Sequence, residues 1–292
     1  MSIDGDHHYV PQFHLRKWAD ADGMISLWGR IPHNNKLVNK QVAPAETAYI
    51  PGLYALEHVG EKEVQEVEKE VFGRIENNAA PVLEKLIGGG PGTLTVQERY
   101  WWTVYLNAAM FRVPHNVAKI REGTIEKIEK VLSQDIPEYT AQRGSAPENT
   151  LLQWAQANAP AHIANSWLRV LIDLLTREAT IDRIINLNWF VKDVSNASNK
   201  LLLGDNPFHR VGGLYKTRTL ISMPISPTHL FLASDAADII RHFDETASRD
   251  IVTLRNQDTL TSAKKFVYGN AERSFLEKYL PMIDSGAAAL VS

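Results

Sequence analysis

The sequence predicts an α+β fold, with a helical middle block packed with a mostly antiparallel C-terminal sheet to which the N-terminal segment contributes. Three observations carry this. Helical patterning dominates from about residue 57 to residue 177, and short branched apolar runs bounded by turns take over after Thr180. The opening ten residues of interest, His7 to Arg16, are an amphipathic segment that needs something to pack on. We read residues 1–292 as a single domain with three subregions: 1–56, 57–180 and 181–292.

Length and composition narrow the function classes. A chain of 292 residues can bury a sizeable core. Its net charge of −3 gives no overall pull towards nucleic acid, so such binding would need a local basic patch. Cysteine is absent, which excludes disulfides, thiolate catalysis and cysteine-ligated zinc. No basic-then-apolar leader opens the chain, and no apolar run approaches the roughly 18 residues that span a bilayer. These features predict a cytoplasmic protein without a membrane partner.

Taken in order, Pro11 predicts a short helix to about Trp18, because its missing N–H is harmless at a helix start. Met24 to Trp28 alternates as a half-buried strand does. Residues 32–53 show little periodicity and read as a surface excursion. From Glu57 through Ile87 the pattern is an amphipathic helix, broken near Pro81, with the glutamates of 57–70 as a solvated face. Gly88-Gly89-Gly90-Pro91-Gly92 is the strongest break, and without a following Gly-Lys-Ser/Thr it is a linker rather than a phosphate loop. Thr95 and Glu98 form a capping box that starts a helix with Trp101, Tyr105, Ala108 and Phe111 on one face. Arg112 falls near that face and should find a partner, since burying it alone is expensive. Pro114 ends this helix; a more exposed one covers 117–133, and Leu151–Arg177 is helical with an interruption at Pro160.

Beyond Thr180, Ile184–Val191, Leu201–Leu203, Leu220–Met223 and Leu230–Ala233 read as strands. Asp235–Phe243 and Thr246–Ala263 read as helices, Phe266–Tyr268 as a closing strand and Glu272–Tyr279 as a last helix. Gly204-Asp205-Asn206-Pro207 is a turn signal that also puts a carboxylate and an amide at a strand end. The loop after it holds a basic cluster of His209, Arg210, Lys216 and Arg218.

The densest chemistry is in His7-His8-Tyr9-Val10-Pro11-Gln12-Phe13-His14-Leu15-Arg16. Gln12 and Arg16, four apart, share a helix face. His7 and His8 sit just ahead of the helix, near the end that attracts anions. In an extended backbone they point to opposite faces, so one metal could not take both without a bend. A solvated histidine pair is the plain alternative.

These residues resemble an uncharacterised family, domain-of-unknown-function family four-two-three-eight. The resemblance rests on His-His-Tyr-Val-Pro-Gln-Phe with Leu15-Arg16, then Gly204-Asp205-Asn206-Pro207, then Met223-Pro224-Ile225-Ser226-Pro227. Asn256, Ala263 and Val267-Tyr268 extend it, and Arg112 sits where a mid-helix arginine is expected. It spans nearly the whole chain and names no activity. It implies that His7, His8, Gln12, Arg16, Asp205 and Asn206 belong together, the two motifs meeting in space.

Two functions compete on this reading. The first is a phosphodiester hydrolase, nuclease-like, acting on nucleic acid or a nucleotide. His7, His8 and Asp205 would be catalytic, and Gln12, Arg16, Arg112 and Asn206 would bind substrate. His8 would move protons, Arg16 would bind phosphate, and Asp205 would orient a histidine or hold a divalent metal. The second is a non-catalytic module for an anionic ligand or a protein, with the motif serving as a polar clasp between the two halves of the chain.

Overall fold

The computed structural model describes residues 5–60 and 63–282. It is α+β, with 51% of residues helical and 16% in strands. The opening strand β1 (Asp6–His8) leads into the short helix α1 (Gln12–Leu15) and a 3-10 turn at Arg16–Trp18. Pro11 lies one residue ahead of the helix, its extended backbone (φ −61°, ψ 144°) turning the chain in. The strands β2 (Ile25–Arg30), β3 (Leu37–Val42) and β4 (Tyr49–Pro51) follow. The supposed surface excursion thus contains two strands. β3 is an exposed edge strand whose Asn, Lys and Gln give no apolar alternation, and β4 has only three residues.

The helical block opens with a π-helical turn at Val67–Phe72, which runs into α2 (Gly73–Gly89). Pro81 is accommodated inside α2 without a break. The helix ends at Gly90, whose φ of 72° suits a residue without a Cβ. The glycine-rich stretch is therefore a tight helix-to-helix turn. In α3 (Val96–Phe111) the predicted capping box is present: Thr95 Oγ1 accepts from Glu98 N at 3.2 Å, and Thr95 N donates to Glu98 Oε2 at 2.8 Å. Trp102, Tyr105 and Ala108 of α3 are buried, while Trp101 is only half-buried. Pro114 starts the mostly exposed α4 (Pro114–Leu132), as a proline at a first helical position can.

Four short helices cover most of 137–176, namely α5 (Pro137–Gln142), α6 (Leu151–Asn158), α7 (Pro160–Ala164) and α8 (Ser166–Thr176). The expected strand at 184–191 is split: α9 (Glu178–Ile185) buries Ile181 and Ile184 at helical spacing, and only then does β5 (Asn188–Asp193) begin. The strands β6 (Leu203–Gly204), β7 (His209–Val211), β8 (Leu220–Ser226) and β9 (His229–Ser234) follow, then α10 (Ala237–Glu245), α11 (Ser248–Ser262), β10 (Phe266–Tyr268) and α12 (Arg273–Tyr279).

Three antiparallel sheets result. β1 pairs with β4; a second sheet has the order β3-β2-β10-β6; a third has the order β5-β9-β8-β7. The second sheet joins the two ends of the chain, with Trp28 opposite Val267. The third is buried on both faces at β8, all seven of whose residues are covered. One face meets α2 and α3 through Met223, Phe231 and Trp102, and the other meets α10 and α11 through Leu232, Phe243 and Ile251.

The opening motif ties these layers together. His14 is wholly buried; its Nε2 donates to the Pro224 carbonyl of β8 at 2.8 Å, and its Nδ1 accepts from the Tyr105 hydroxyl of α3 at 2.7 Å. Trp18 Nε1 donates to the Leu201 carbonyl at 2.8 Å. Burial of His14 lowers its pKa from 6.5 to about 4, so the imidazole is neutral and its two nitrogens play the donor and acceptor roles just described.

Candidate functional site

The two opening histidines follow the alternation of β1. His7 faces the Tyr54 ring, stacked at 5.5 Å, and His8 faces Tyr49 across the ribbon. Neither is a solvated pair: both are buried. His7 Nδ1 accepts from the Tyr54 N–H at 2.8 Å, which places the ring proton on Nε2, where it donates to Gln65. Both nitrogens of His7 are therefore committed within the fold.

His8 differs. Its Nε2 lies 3.5 Å from the Gln12 side-chain nitrogen, and Gln12 Oε1 accepts from the Arg16 guanidinium at 3.0 Å. Because the amide donates towards it, Nε2 carries the lone pair. Burial lowers the His8 pKa, against the backbone carbonyl of Ala45 and the charge of Glu76, which raise it. The imidazole is thus a neutral base aimed at the Gln12–Arg16 face. Arg16 is exposed, and among the described residues it has no carboxylate partner.

Behind this pair stands Arg112, wholly buried where α3 ends. Its Nη1 donates to Glu76 Oε1 at 2.8 Å, its Nη2 donates to the His8 carbonyl, and its guanidinium lies 4.6 Å over the Phe72 ring. Tyr54 completes the link, donating its hydroxyl to the Arg112 carbonyl at 2.7 Å. The expected partner for a mid-helix arginine is therefore found. Burial alone would lower its pKa, but Glu76, Tyr54 and Glu68 outweigh it and raise it.

Glu68 is the residue that sequence reasoning placed on the wrong face. The π-helical turn swings it inward, where burial raises its pKa to about 7 against the pull of Arg112, with Glu76 adding to the rise. One of its carboxylate oxygens is buried without a hydrogen-bond partner. Glu76, one turn into α2, was not singled out by the sequence pattern. The available signal was Arg112 itself: a buried guanidinium calls for carboxylates, and Glu68, Phe72 and Glu76 recur every four residues around the buried Phe72.

Three costly features meet around His8. π-Helical turns are rare and cluster at functional sites. Glu68 leaves a buried oxygen unsatisfied. Ala48, whose carbonyl accepts from Tyr9 N at 2.8 Å, is buried with φ at 55°, a left-handed backbone that costs a non-glycine residue about 1–2 kcal/mol.

The carboxylate of the second motif makes its hydrogen bonds elsewhere. Asp205 is buried, and its carboxylate accepts from the N–H groups of Lys264 (2.8 Å), Lys265 (2.6 Å) and Phe266 (3.0 Å). Burial pushes its pKa up, against those N–H groups, which pull it down. It forms no hydrogen bond with His7, His8 or Arg16, because the bend between α11 and β10 uses its acceptor capacity. Asn206 is half-buried, and its side chain forms no hydrogen bond among the described residues. Asp205 thus does not bond to the histidines or Arg16 as expected, yet the two stretches lie together. Leu203 packs in one cluster with Tyr9, Val10, Leu15 and Trp18. Burial, then Tyr268 and Asp205, raise the Tyr9 pKa.

Among the described residues, no three His, Asp or Glu side chains converge to hold a metal ion. A shallow surface cavity of about 230 Å³ lies elsewhere, between Glu57, Arg121 and Ile163. No described helix is long and apolar enough to cross a membrane.

Fold and site together define an α+β protein whose opening strand is clamped by a buried arginine–glutamate cluster. The chain belongs to the family described as protein of unknown function (DUF4238), whose sequence model matches residues 6–290. No curated protein and no solved structure matches it.

Proposed function

We propose that the chain is a phosphodiester hydrolase whose acid–base chemistry resides in the His8 cluster. The observation that carries this is a pair of groups whose pKa values are pushed in opposite directions beside one buried guanidinium: His8, lowered by burial, and Glu68, raised by burial to about 7, around Arg112. Pairs of titratable groups pushed in opposite directions mark acid and base assignments. His8 Nε2 accepts the proton of the attacking hydroxyl or water, and Glu68 supplies one to the leaving oxygen. Arg16, a cation with no carboxylate partner among the described residues, binds the phosphate, and Gln12 orients it against His8. Arg112 holds the His8 backbone in place and keeps the two carboxylates together, while His7 positions the strand. The substrate class is nucleic acid or a nucleotide. A divalent ion would act with the substrate phosphate, since the described residues offer no dedicated cage.

The test is to incubate the purified chain with RNA and with DNA, with and without Mg²⁺ or Mn²⁺, beside His8→Ala. Loss of general acid–base catalysis should slow cleavage by about 100-fold or more. Cleavage unchanged by the substitution, or absent under every condition, would overturn the assignment.

One observation favours a second reading, a non-catalytic module for an anionic ligand or protein in which the opening motif is a structural polar clasp. His7 is only 1% exposed and His8 9%, so the cluster is closed over. Under this reading nucleotides would raise the melting temperature without product formation.

A further inference from the structure

The third sheet carries a second polar cluster, apart from the opening motif, on the face covered by α11. His209 of β7 stands directly opposite Ser222 of β8, and Ser222 opposite Leu232 of β9. Directly opposed residues project from the same face. Leu232 packs there against Ile251 and Val252 of α11, so Ser222 and His209 also face that helix. From α11 comes Arg255, only 3% exposed. A single nitrogen of its guanidinium, Nη1, serves both neighbours: Asp258 Oδ2 at 2.8 Å and His209 Nδ1 at 3.1 Å.

The remaining polar atoms share one character. Arg255 Nε is buried without a partner, and so is Ser222 Oγ. Because Arg255 donates to Nδ1 of His209, the neutral imidazole carries its proton on Nε2. The groups left over are therefore an N–H of arginine, an N–H of histidine and a hydroxyl, all able to donate. Buried donors without acceptors cost free energy and call for an explanation. Gly204 packs against Thr259, one turn along α11 from Arg255, so the Asp205-Asn206 corner lies along the same helix. Solvent reaches the cluster at half-buried His209 and at Asp258, whose side chain is 31% exposed.

We infer that Arg255, His209 and Ser222 form a binding site for a phosphate-type oxyanion. Such a group has enough lone pairs to satisfy all three donors at once, and arginine matches it in geometry. A cation would meet the guanidinium, and a hydrophobic ligand would leave the donors unsatisfied. Asp258 fixes the arginine from the solvent side and leaves Nε for the guest. The phosphate is either a free ion or the terminal group of a nucleotide, and titration with each separates the two.

Calorimetric titration of the full chain with inorganic phosphate and with a nucleoside monophosphate, against chloride at matched ionic strength, tests this. Saturable binding of either phosphate is expected in the unaltered chain and in His8→Ala. Tighter binding of the nucleotide would assign the phosphate to it, and equal binding to the free ion. Ser222→Ala removes only a buried, unpaired hydroxyl, so it should fold at least as stably while binding about tenfold more weakly. Arg255→Lys should weaken binding at least as much. No saturable binding, undiminished binding in Ser222→Ala, or loss in His8→Ala alone would overturn the site. Failure of the hydrolase assay would leave it untouched, because neither Arg255 nor Ser222 enters that chemistry.

Discussion

Arg112, wholly buried at the end of α3, donates to the backbone carbonyl of His8, 104 residues earlier in the chain. This bond makes the opening strand part of the helical core. It also couples the position of His8 to the two carboxylates that flank the same guanidinium, Glu76 and Glu68.

Arg112→Ala should cost roughly 3–5 kcal/mol in urea unfolding, because it leaves carboxylates and a carbonyl beside an uncompensated cavity. Arg112→Lys should recover less than half of this. A lysine cannot donate in two directions from one plane while lying over Phe72. Equal stability of the lysine variant and the unaltered chain would show that the fork is dispensable.

Glu68 and His14 tilt stability in opposite directions over the same range, roughly pH 4 to 7, and largely offset one another. Glu68 rises from 4.5 to about 7 on folding, so the folded chain keeps a proton that the unfolded chain has released. That contribution is complete below about pH 4.5 and disappears as pH rises through 7. His14 falls from 6.5 to about 4, so the unfolded chain takes up a proton that the folded chain refuses, and stability drops as pH falls from 6.5 towards 4. Each term is on the order of 3 kcal/mol. Glu68→Gln should remove the opposing contribution and leave a net fall in stability from pH 6.5 towards 4, which melting curves from pH 4 to 8 would show.

His14→Ala should destabilise the fold by about 2–4 kcal/mol, more than His8→Ala does. It strands the Tyr105 hydroxyl and the Pro224 carbonyl in the interior, besides leaving a cavity. Chemical denaturation of the two variants side by side gives the comparison. A larger loss for His8→Ala would contradict the clasp.

Asp205→Asn should cost about 2 kcal/mol, since an amide nitrogen would then face backbone N–H donors. Turnover per folded molecule should stay unchanged. A selective loss of turnover with stability intact would return Asp205 to the catalytic set.

Much of this architecture was legible because local rules and tertiary demands agree. Thr95 and Glu98 announce α3, and the run Phe266–Tyr268 is a strand with the bounds expected. The pattern misled where they diverge. β3 offers Asn39, Lys40 and Gln41 to solvent as an edge strand, so no apolar alternation marks it. Ile184 belongs to α9, yet its branched neighbours read as a strand, since a short apolar run fits either period. In the candidate site, His8, Gln12, Arg16 and Arg112 were visible as chemistry, and the structure connects them. Glu68 and Glu76 were hidden among other glutamates, because a π-helical turn shifts which residues face inward and leaves no mark in hydrophobic spacing. The partners of the Asp205 carboxylate were missed for the opposite reason. Such a group suits catalysis, but a carboxylate beside three free backbone N–H groups is drawn to them first.

The pH–rate profile of phosphodiester cleavage, compared between the unaltered chain and Glu68→Gln, tests the central claim most directly. The account predicts an activity that declines above about pH 7 in the unaltered chain as Glu68 loses its proton. In Glu68→Gln that decline should vanish and the maximum rate should fall. An identical profile in both proteins, or no cleavage by either at any pH, would contradict it.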